Sequence, residues 1–380
     1  PVTCFAAPAC STTAQPSLPP ATSRPGAASS SKALIDPALL LPLDATARRI
    51  DLSTPTAAEQ ETLRPKRGTQ TSRGGVVPKR RLTIGFARHL DAAQASFKLS
   101  DRAWSQTHGG VSAAHVSLTS AGAAGIRIGL MLTGAPGALE MRFKGSAGTQ
   151  AFGPYPGGLA MGTLYWSPVL EGETGVVEFT LPVGVSPGTG AVSLPMISHL
   201  VVAGNDLRQA DPFGKIGLAG ACEVDVACLP TTQRQQAASA INAVARIIFT
   251  NMGATGLCSG TLINDASTSF TPYFFTANHC IDDDDEDVGA SKAFPSIAAN
   301  TINTYWFFQT SVCGVDTAAN VNFVIVAGGA KILGRSPDFD WTLLRMNKAP
   351  PSGATFPPWN ASPLSAPGTP AAGTHHPAQR

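Results

Sequence analysis

The chain has 380 residues, of which 43% are hydrophobic and only 14% charged, with 38 glycines and 31 prolines. This apolar fraction is sufficient for a globular core, and the many glycines and prolines favour strands and turns over long helices. The net charge of +2 excludes a strongly basic nucleic-acid-binding protein. No apolar run reaches the roughly 18 residues needed to cross a bilayer. The sequence therefore predicts a soluble or secreted protein without a nucleic-acid or membrane partner.

Cysteine usage indicates the compartment. Seven cysteines lie at positions 4, 10, 222, 228, 258, 280 and 313, and none forms a Cys-x-x-Cys pair. Because this spacing does not suit a compact zinc site, disulfides in an oxidising compartment are the better interpretation, and secretion is expected. The number is odd, so at least one partner is missing or one thiol is free.

Composition divides the chain into three regions. Residues 1–78 are rich in proline, serine, threonine and alanine, and are predicted to be a disordered N-terminal segment because they bury too little apolar area. Residues 79–214 contain alternating apolar residues such as Ile126 and Ile128, separated by turn signals, which predicts a β-sandwich. No constellation of titratable residues stands out there, so its histidines are expected to be structural. Residues 217–380 contain further strand-like runs, and the fold class is predicted to be all-β.

The strongest chemical signal is His279, which directly precedes Cys280 at the end of the apolar run 273–277. A bridge between Cys280 and Cys258 would tie two neighbouring strands together and hold the histidine on a rigid frame. A general base needs such placement, because it must stay within hydrogen-bond reach of a nucleophile. Taken alone, a buried histidine beside a structural disulfide is the simpler interpretation.

An acid that directly precedes the apolar strand-like run 341–346 makes a catalytic role of the histidine more favourable than a purely structural one. In a Ser-His-Asp triad, a buried aspartate accepts a hydrogen bond from the histidine ring, fixes its tautomer and stabilises the imidazolium. Asp340 is placed for this role. Asp338 is a competing candidate with the same strand parity, but it follows Pro337 and is more simply a turn residue.

Together these residues resemble the trypsin-like serine proteases. The segment 276–280 (Thr-Ala-Asn-His-Cys) is similar to their histidine motif, and 340–344 (Asp-Trp-Thr-Leu-Leu) is similar to their aspartate motif. The closer resemblance is to the bacterial lysyl endopeptidase group, whose mature chains open with a glycine-rich stretch and Cys-x-x-Asp-Val-x-Cys, as at 217–228. The strands upstream resemble the secreted pro-region found before such domains.

The resemblance implies a fold and a disulfide pattern. Residues 79–214 would be a β-rich, sandwich-like pro-region, and residues 217–380 the N-terminal part of a trypsin-like double β-barrel, mainly the first barrel. The implied disulfides are Cys258–Cys280 and Cys228–Cys313. Cys222 would pair with a late cysteine that this sequence lacks, and Cys4 and Cys10 stay unassigned.

The nucleophilic serine of the triad is missing. Such enzymes carry a Gly-x-Ser-Gly segment whose serine attacks the carbonyl and whose backbone N–H groups help to form the oxyanion hole. No such segment follows His376, and Ser259 cannot replace it because it lies upstream beside Cys258. We therefore expect a precursor truncated before the catalytic serine, and no triad hydrolysis by residues 1–380 as they stand.

The resemblance also implies processing and specificity. Lys215-Ile216 lies between the pro-region and the protease region, and the family tends to process itself at such a lysine; an ordinary linker lysine is an equal alternative. A preference for lysine in the substrate is suggested by the resemblance alone, because the residues of the specificity pocket are absent.

No metal or organic cofactor is implied. The six acids at 282–287 could bind Ca²⁺, but they lack the glycine and the alternation of a calcium loop, so a solvated loop is favoured. His375 and His376 would point to opposite faces of a strand, and the resemblance makes them a structural landmark.

The leading hypothesis is a secreted serine endopeptidase precursor that acts on peptide or protein substrates, with its pro-region packed on the protease domain. His279 would be general base and then acid, and Asp340 would orient it. The alternative is a catalytically inactive secreted binding protein built on a degenerate protease-like domain, which the absent serine favours and the intact histidine and aspartate disfavour. A third idea is a carbohydrate-binding sandwich, suggested by Tyr165 and Trp166, which are more often core residues.

Overall fold

The structure is a computed structural model, and it describes the following residues: 2–5, 22–23, 38–42, 48–63, 82–107, 109–204, 223–282, 294–313, 321–360 and 372–376. Strands dominate these stretches, and the predicted all-β class is confirmed. Within the described stretches, no helix is both long and apolar enough to span a membrane.

The first half of the chain forms a run of mostly antiparallel strands with short helices between them. The strands are β1 (Val2–Phe5), β2 (Thr22–Ser23), β3 (Arg48–Leu52), β4 (Leu82–His89), β5 (Ser96–Lys98), β6 (Ser105–Thr107), β7 (Val111–Ser120), β8 (Gly125–Thr133), β9 (Glu140–Gly145), β10 (Ala151–Pro156), β11 (Tyr165–Trp166), β12 (Leu170–Glu171), β13 (Thr174–Pro182) and β14 (Ala191–Leu200). The helices are α1 (Ala57–Glu61) and α2 (Ala92–Ala95), with 3-10 turns at Leu99–Asp101 and Gly157–Ala160.

The described residues of the second half form further strands and helices, and the half-barrel is built from most of these strands. The strands are β15 (Glu223–Asp225), β16 (Val244–Asn251), β17 (Ala254–Ile263), β18 (Tyr273–Thr276), β19 (Asn303–Thr310), β20 (Val321–Ala327), β21 (Ala330–Ser336), β22 (Trp341–Met346), β23 (Thr355–Phe356) and β24 (Ala372–His375). The helices are α3 (Thr231–Ala243), α4 (Asn278–Ile281) and α5 (Phe294–Asn300), with a 3-10 turn at Val226–Cys228.

A two-layer sandwich occupies the first half. One layer has the strand order β10-β9-β13-β7-β3, and β8, β14 and β4 belong to the other. Alternate side chains of β8 point into the space between the layers and are fully buried, as the period of two predicts: Ile126, Ile128, Leu130 and Leu132. They pack with residues of the facing layer such as Phe143 and Phe179. The sandwich predicted for this region is therefore present.

Strand β3 lies within the segment for which the sequence predicts disorder. It pairs in parallel with β7, and Ile50 is 4% exposed in the sandwich core. Helix α1 follows it with a capping box formed by Thr56 and Glu59. The described residues 48–63 thus differ from the predicted disorder of 1–78, because one long-range strand pairing supplies the burial that their local composition lacks.

A curled half-barrel forms the second half. Strand β17 pairs with β16 and β18, β18 pairs with β22, and β22 pairs with β21, while β19 and β20 continue the sheet beyond β16. The concave side is filled by fully buried side chains that include Phe249, Phe274, Trp306 and Leu344. The Phe274 and Trp306 rings meet edge to face, with centroids 6.0 Å apart. This agrees with the first barrel of the trypsin-like fold.

Strand β4 connects the two halves. On one side it pairs with β14 of the sandwich, and on the other side it pairs with β17 of the half-barrel. A separate cluster of buried side chains contains residues of both halves, among them Ile84, Leu200, Ile248 and Leu257. The sandwich and the half-barrel therefore share one sheet and one apolar cluster.

A buried histidine in the sandwich layer that faces this junction is held in the neutral form. His199 lies 2.8 Å from the Ser120 hydroxyl, which accepts a hydrogen bond from Arg88 and is thus free to donate its own proton to His199 Nδ1. Burial and then the Arg88 charge lower the pKa of His199 to about 4.

This histidine is expected to make the protein less stable in acid. An unfolded histidine titrates near 6.5, so the unfolded chain binds more protons between pH 6.5 and about 4, and stability falls as the pH drops through that window. The loss is expected to be about 2 to 3 kcal/mol. Urea unfolding at pH 7 and pH 4.5 should show a flatter pH dependence for His199→Gln than for the parent. The exposed His89→Gln is the control, and an unchanged slope in His199→Gln would contradict the assignment.

Candidate active site

The histidine of the motif sits at a strand end on a short helix. Strand β18 lies between β17 and β22, and Ala277 ends the extended backbone before α4 begins at Asn278. Phe274 anchors β18 in the core, and the Thr276 hydroxyl donates to the Ser259 carbonyl of β17 at 2.8 Å. The apolar run that precedes the motif thus fixes the position of His279.

His279 and Asp340 are in direct contact. The ring Nδ1 of His279 lies 2.9 Å from Asp340 Oδ2, and the His279 backbone N–H donates to Asp340 Oδ1 at 2.9 Å. The side chains are 28% and 17% exposed, so the pair is partly open to solvent. One carboxylate therefore holds both the ring and the backbone of the histidine.

The backbone of Asp340 is unusual. Its φ is +53°, in the left-handed region that non-glycine residues rarely adopt, and its N–H donates to the Pro337 carbonyl at 3.2 Å. Such a conformation costs on the order of 1–3 kcal/mol and persists only where the surrounding contacts hold it in place. Asp338 is exposed in the same turn. Of the two candidate acids, the structure brings Asp340 to the histidine.

Two disulfides frame this region, and both are those implied by the resemblance. Cys258 of β17 is bonded to Cys280 of α4, and Cys228 is bonded to Cys313 beyond β19. The first bridge attaches the residue next to His279 to the neighbouring strand. Cys10 and Cys222 lie outside the described residues, as does the side chain of Cys4.

Removing the first bridge is expected to loosen the histidine as well as the fold. The Cys258→Ala/Cys280→Ala variant opens a loop with a sequence separation of 22, and the expected loss is about 3 kcal/mol in the free energy of unfolding. Urea unfolding measures this loss, and NMR signals of the His279 ring report its mobility. The control is Cys228→Ala/Cys313→Ala, which opens a longer loop. It should destabilise at least as much without broadening the His279 signals; equal broadening in both variants would argue against a local role.

An arginine that the sequence did not single out supports the same helix. Arg335 of β21 donates to Asp282, and it also lies 3.4 Å from the Asn278 side-chain oxygen. Both ends of α4 are thereby linked to the strand that precedes Asp340.

The prediction of a solvated acidic loop at 282–287 is wrong for Asp282, which is 9% exposed and ion-paired with Arg335. Residues 283–287 lie outside the described residues. No spacing rule identifies Arg335, because its partner lies far away along the chain.

Ser259 and His376 form a second polar contact. The His376 backbone N–H donates to Ser259 Oγ at 2.8 Å, and Ser259 Oγ lies 3.1 Å from His376 Nδ1. The other ring nitrogen lies 3.2 Å from the Phe308 carbonyl oxygen. Burial holds the pKa of His376 well below its ordinary value, so the ring is neutral. This contact fixes β24 on the half-barrel and engages the Ser259 hydroxyl.

The remaining chemical candidates do not add a group to the site. Cys258, His279 and Cys280 place possible metal-ligating atoms within 4.8 Å of one another, but both sulfurs are consumed by the disulfide and offer no thiolate. No hydrogen bond joins a serine hydroxyl to the His279 ring among the residues that the structure describes. Lys215 and Ile216 lie outside those residues.

The curled all-β half-barrel with its histidine–aspartate pair is typical of the trypsin-like class. A family model described as "Lysyl endopeptidase, C-terminal domain" matches residues 216–379, and one described as "Lysyl endopeptidase N-terminal domain" matches residues 51–201. A "Lysyl endopeptidase" of Pseudomonas aeruginosa is 31% identical over 309 residues, which are 80% of this chain and 63% of that protein. The chain therefore spans less than two thirds of the length of this relative. The chain belongs to the lysyl endopeptidase group of the serine endopeptidase family.

Proposed function

We propose that the chain is the precursor of a secreted serine endopeptidase in which His279 is the general base and then the general acid, and Asp340 orients it. The observation that carries the proposal is the 2.9 Å contact between His279 Nδ1 and Asp340 Oδ2. With the Nδ1 proton donated to the carboxylate, Nε2 keeps the lone pair that can accept a proton. The serine that this chemistry requires is absent from residues 1–380.

The proposed reaction follows from that tautomer. As the serine oxygen attacks the peptide carbonyl, its proton passes to His279 Nε2, and Asp340 stabilises the imidazolium that forms. The same proton then passes to the leaving amine, so the C–N bond breaks and an ester to the serine remains. Water attacks this ester with His279 again acting as base, which releases the acid and restores the serine.

We further propose that residues 48–204 pack on the protease region as a pro-region. The pairing of β4 with β17 and the shared apolar cluster support this arrangement.

The group to which the chain belongs supports cleavage near Lys215-Ile216, a lysine preference and secretion. Amino-terminal sequencing of a secreted mature form tests the cleavage: a start at residue 216 or 217 is expected, and a distant start would contradict it.

A hydrolysis assay with a lysine-containing peptide tests the central proposal. Residues 1–380 are expected to be inactive, whereas a form extended through a Gly-x-Ser-Gly segment by its own downstream coding sequence is expected to turn over substrate. His279→Ala should abolish that turnover. Turnover by residues 1–380 that His279→Ala removes would contradict the requirement for an added serine. An extended form that folds and stays inactive would favour the second candidate, a secreted binding protein.

A further inference from the structure

Four buried polar residues interlock where the sandwich meets the half-barrel. Arg127 of β8 and Ser198 of β14 are register partners in the sandwich, and Thr250 of β16 and Thr255 of β17 are register partners in the half-barrel. Arg127 is 1% exposed, and the other three are fully buried. One cross-strand polar pair from each half thus meets the other pair away from water. We call these four residues the interlock.

Arg127 reaches across the junction with two of its three donor groups. Its Nη1 donates to Thr250 Oγ1 at 2.9 Å, and its Nη2 donates to the Thr301 carbonyl at 2.8 Å. Its Nε donates to the Ser167 carbonyl at 2.9 Å within the sandwich. Thr301 directly follows α5, so the guanidinium also lies where a helix C-terminus favours a cation.

Hydroxyl groups complete the interlock. Thr250 Oγ1 lies 2.7 Å from Thr255 Oγ1, which in turn lies 2.7 Å from Ser198 Oγ. The line of contacts therefore begins and ends on the sandwich and passes through two residues of the half-barrel. Each hydroxyl can both donate and accept, so each of the three hydroxyl oxygens has a hydrogen-bond partner within the interlock.

Arg127 is buried without a counter-ion. None of the ion pairs among the described residues includes Arg127, and burial lowers its pKa to about 10. A charge in this position depends on neutral oxygens that point at it, and losing one of them leaves a buried donor unpaired. Only a partner that presents acceptors at the positions of Thr250 and Thr301 can close over Arg127 without that penalty.

We propose that the interlock is the recognition site by which residues 48–204 bind the protease region, and that this binding persists after the chain is cut between residues 204 and 223. The inference rests on the proposed pro-region and names the contact that makes its binding selective. The partner is a half-barrel with an open strand edge at β17 and two oxygen acceptors beside it. The surrounding apolar cluster provides the affinity of residues 48–204 for the protease region, and the interlock selects this half-barrel over other partners.

A nicked protein tests the proposal directly. A recognition sequence for a specific protease is placed between residues 204 and 223 of the full chain, the folded protein is cut, and gel filtration at decreasing concentrations gives the dissociation constant of the two pieces. The parent pieces should co-elute. Thr250→Val keeps the shape of the side chain but removes the acceptor, and is expected to raise the dissociation constant about 30-fold. Arg127→Met, combined with Thr250→Val, should recover part of this loss, because no orphaned cation remains.

The matched control is Arg142→Met. Arg142 also donates to a threonine hydroxyl, at 2.9 Å, but within the sandwich, so its loss should leave the dissociation constant unchanged. Parent pieces that separate on cutting, or Thr250→Val and Arg127→Met effects that simply add, would overturn the proposal. If Thr250→Val fails to fold before cutting, Arg127→Lys replaces it and is expected to weaken binding as well, because an ammonium group cannot reach all three acceptors. Since no peptide hydrolysis is measured, failure here is distinct from failure of the proposed enzyme.

Discussion

Asp340→Asn, in the form extended through the serine, is expected to lower kcat by about 10⁴-fold with little change in folding. The amide can still accept the His279 backbone N–H through its oxygen, as Asp340 Oδ1 does at 2.9 Å. Its NH₂ group, however, would face the ring nitrogen that now lies 2.9 Å from Oδ2. The ring must then accept at Nδ1 and carry its proton on Nε2, which removes the base from the position that the serine needs.

The exposed Asp338 offers a matched control, because Asp338→Asn removes the same charge two positions away without touching the ring. It is expected to change kcat less than about twofold, as is typical of an exposed charge. Equal losses in the two variants would mean that a general electrostatic effect, and not the tautomer, is responsible. The tautomer can also be read without the serine: ¹⁵N NMR of residues 1–380 should show the proton on Nδ1 in the parent and on Nε2 in Asp340→Asn.

Local patterns predicted much of the fold. The period of two at Ile126 and Ile128 places a strand face in the core, and the structure buries both side chains. The pattern could not predict β3, since its burial comes from pairing with β7, a strand more than sixty residues later in sequence. A composition rule averages over the segment and therefore misses short strands whose partners are remote, β1, β2 and β3 among them.

The candidate site also contains residues that the sequence identifies and residues that only the structure reveals. His279 and Asp340 could be identified because each occupies a short motif beside an apolar strand, and β18 and β22 are neighbours in the sheet. Arg335 and Arg127 gave no signal, because the oxygens that they bind come from distant positions. Buried polar contacts between remote segments depend on the tertiary arrangement, which a single sequence does not encode in its spacing. The same holds for the positive φ of Asp340.

Gly260→Ala is expected to destabilise the half-barrel by about 3 kcal/mol, at the upper end of the usual range for overpacking. Gly260 lies on β17 opposite Thr276, the last residue of the strand that leads to His279. A methyl group there would overlap the Phe274 ring and would come 2.8 Å from the Phe275 carbonyl oxygen. The Phe274 ring cannot retreat easily, since it is fully buried against Trp306.

The substitution should therefore separate β17 from β18, the strands that carry Cys258 and the approach to His279. Urea unfolding gives the loss of stability, and NMR signals of the His279 ring show whether its contact with Asp340 survives. Gly137→Ala is the control, because a Cβ at that position meets no atom within 4 Å. It should be neutral or stabilise by a few tenths of a kcal/mol, through a less flexible unfolded chain. If both alanines behave alike, close packing of the glycine against the Phe274 ring cannot be what holds the histidine strand in place.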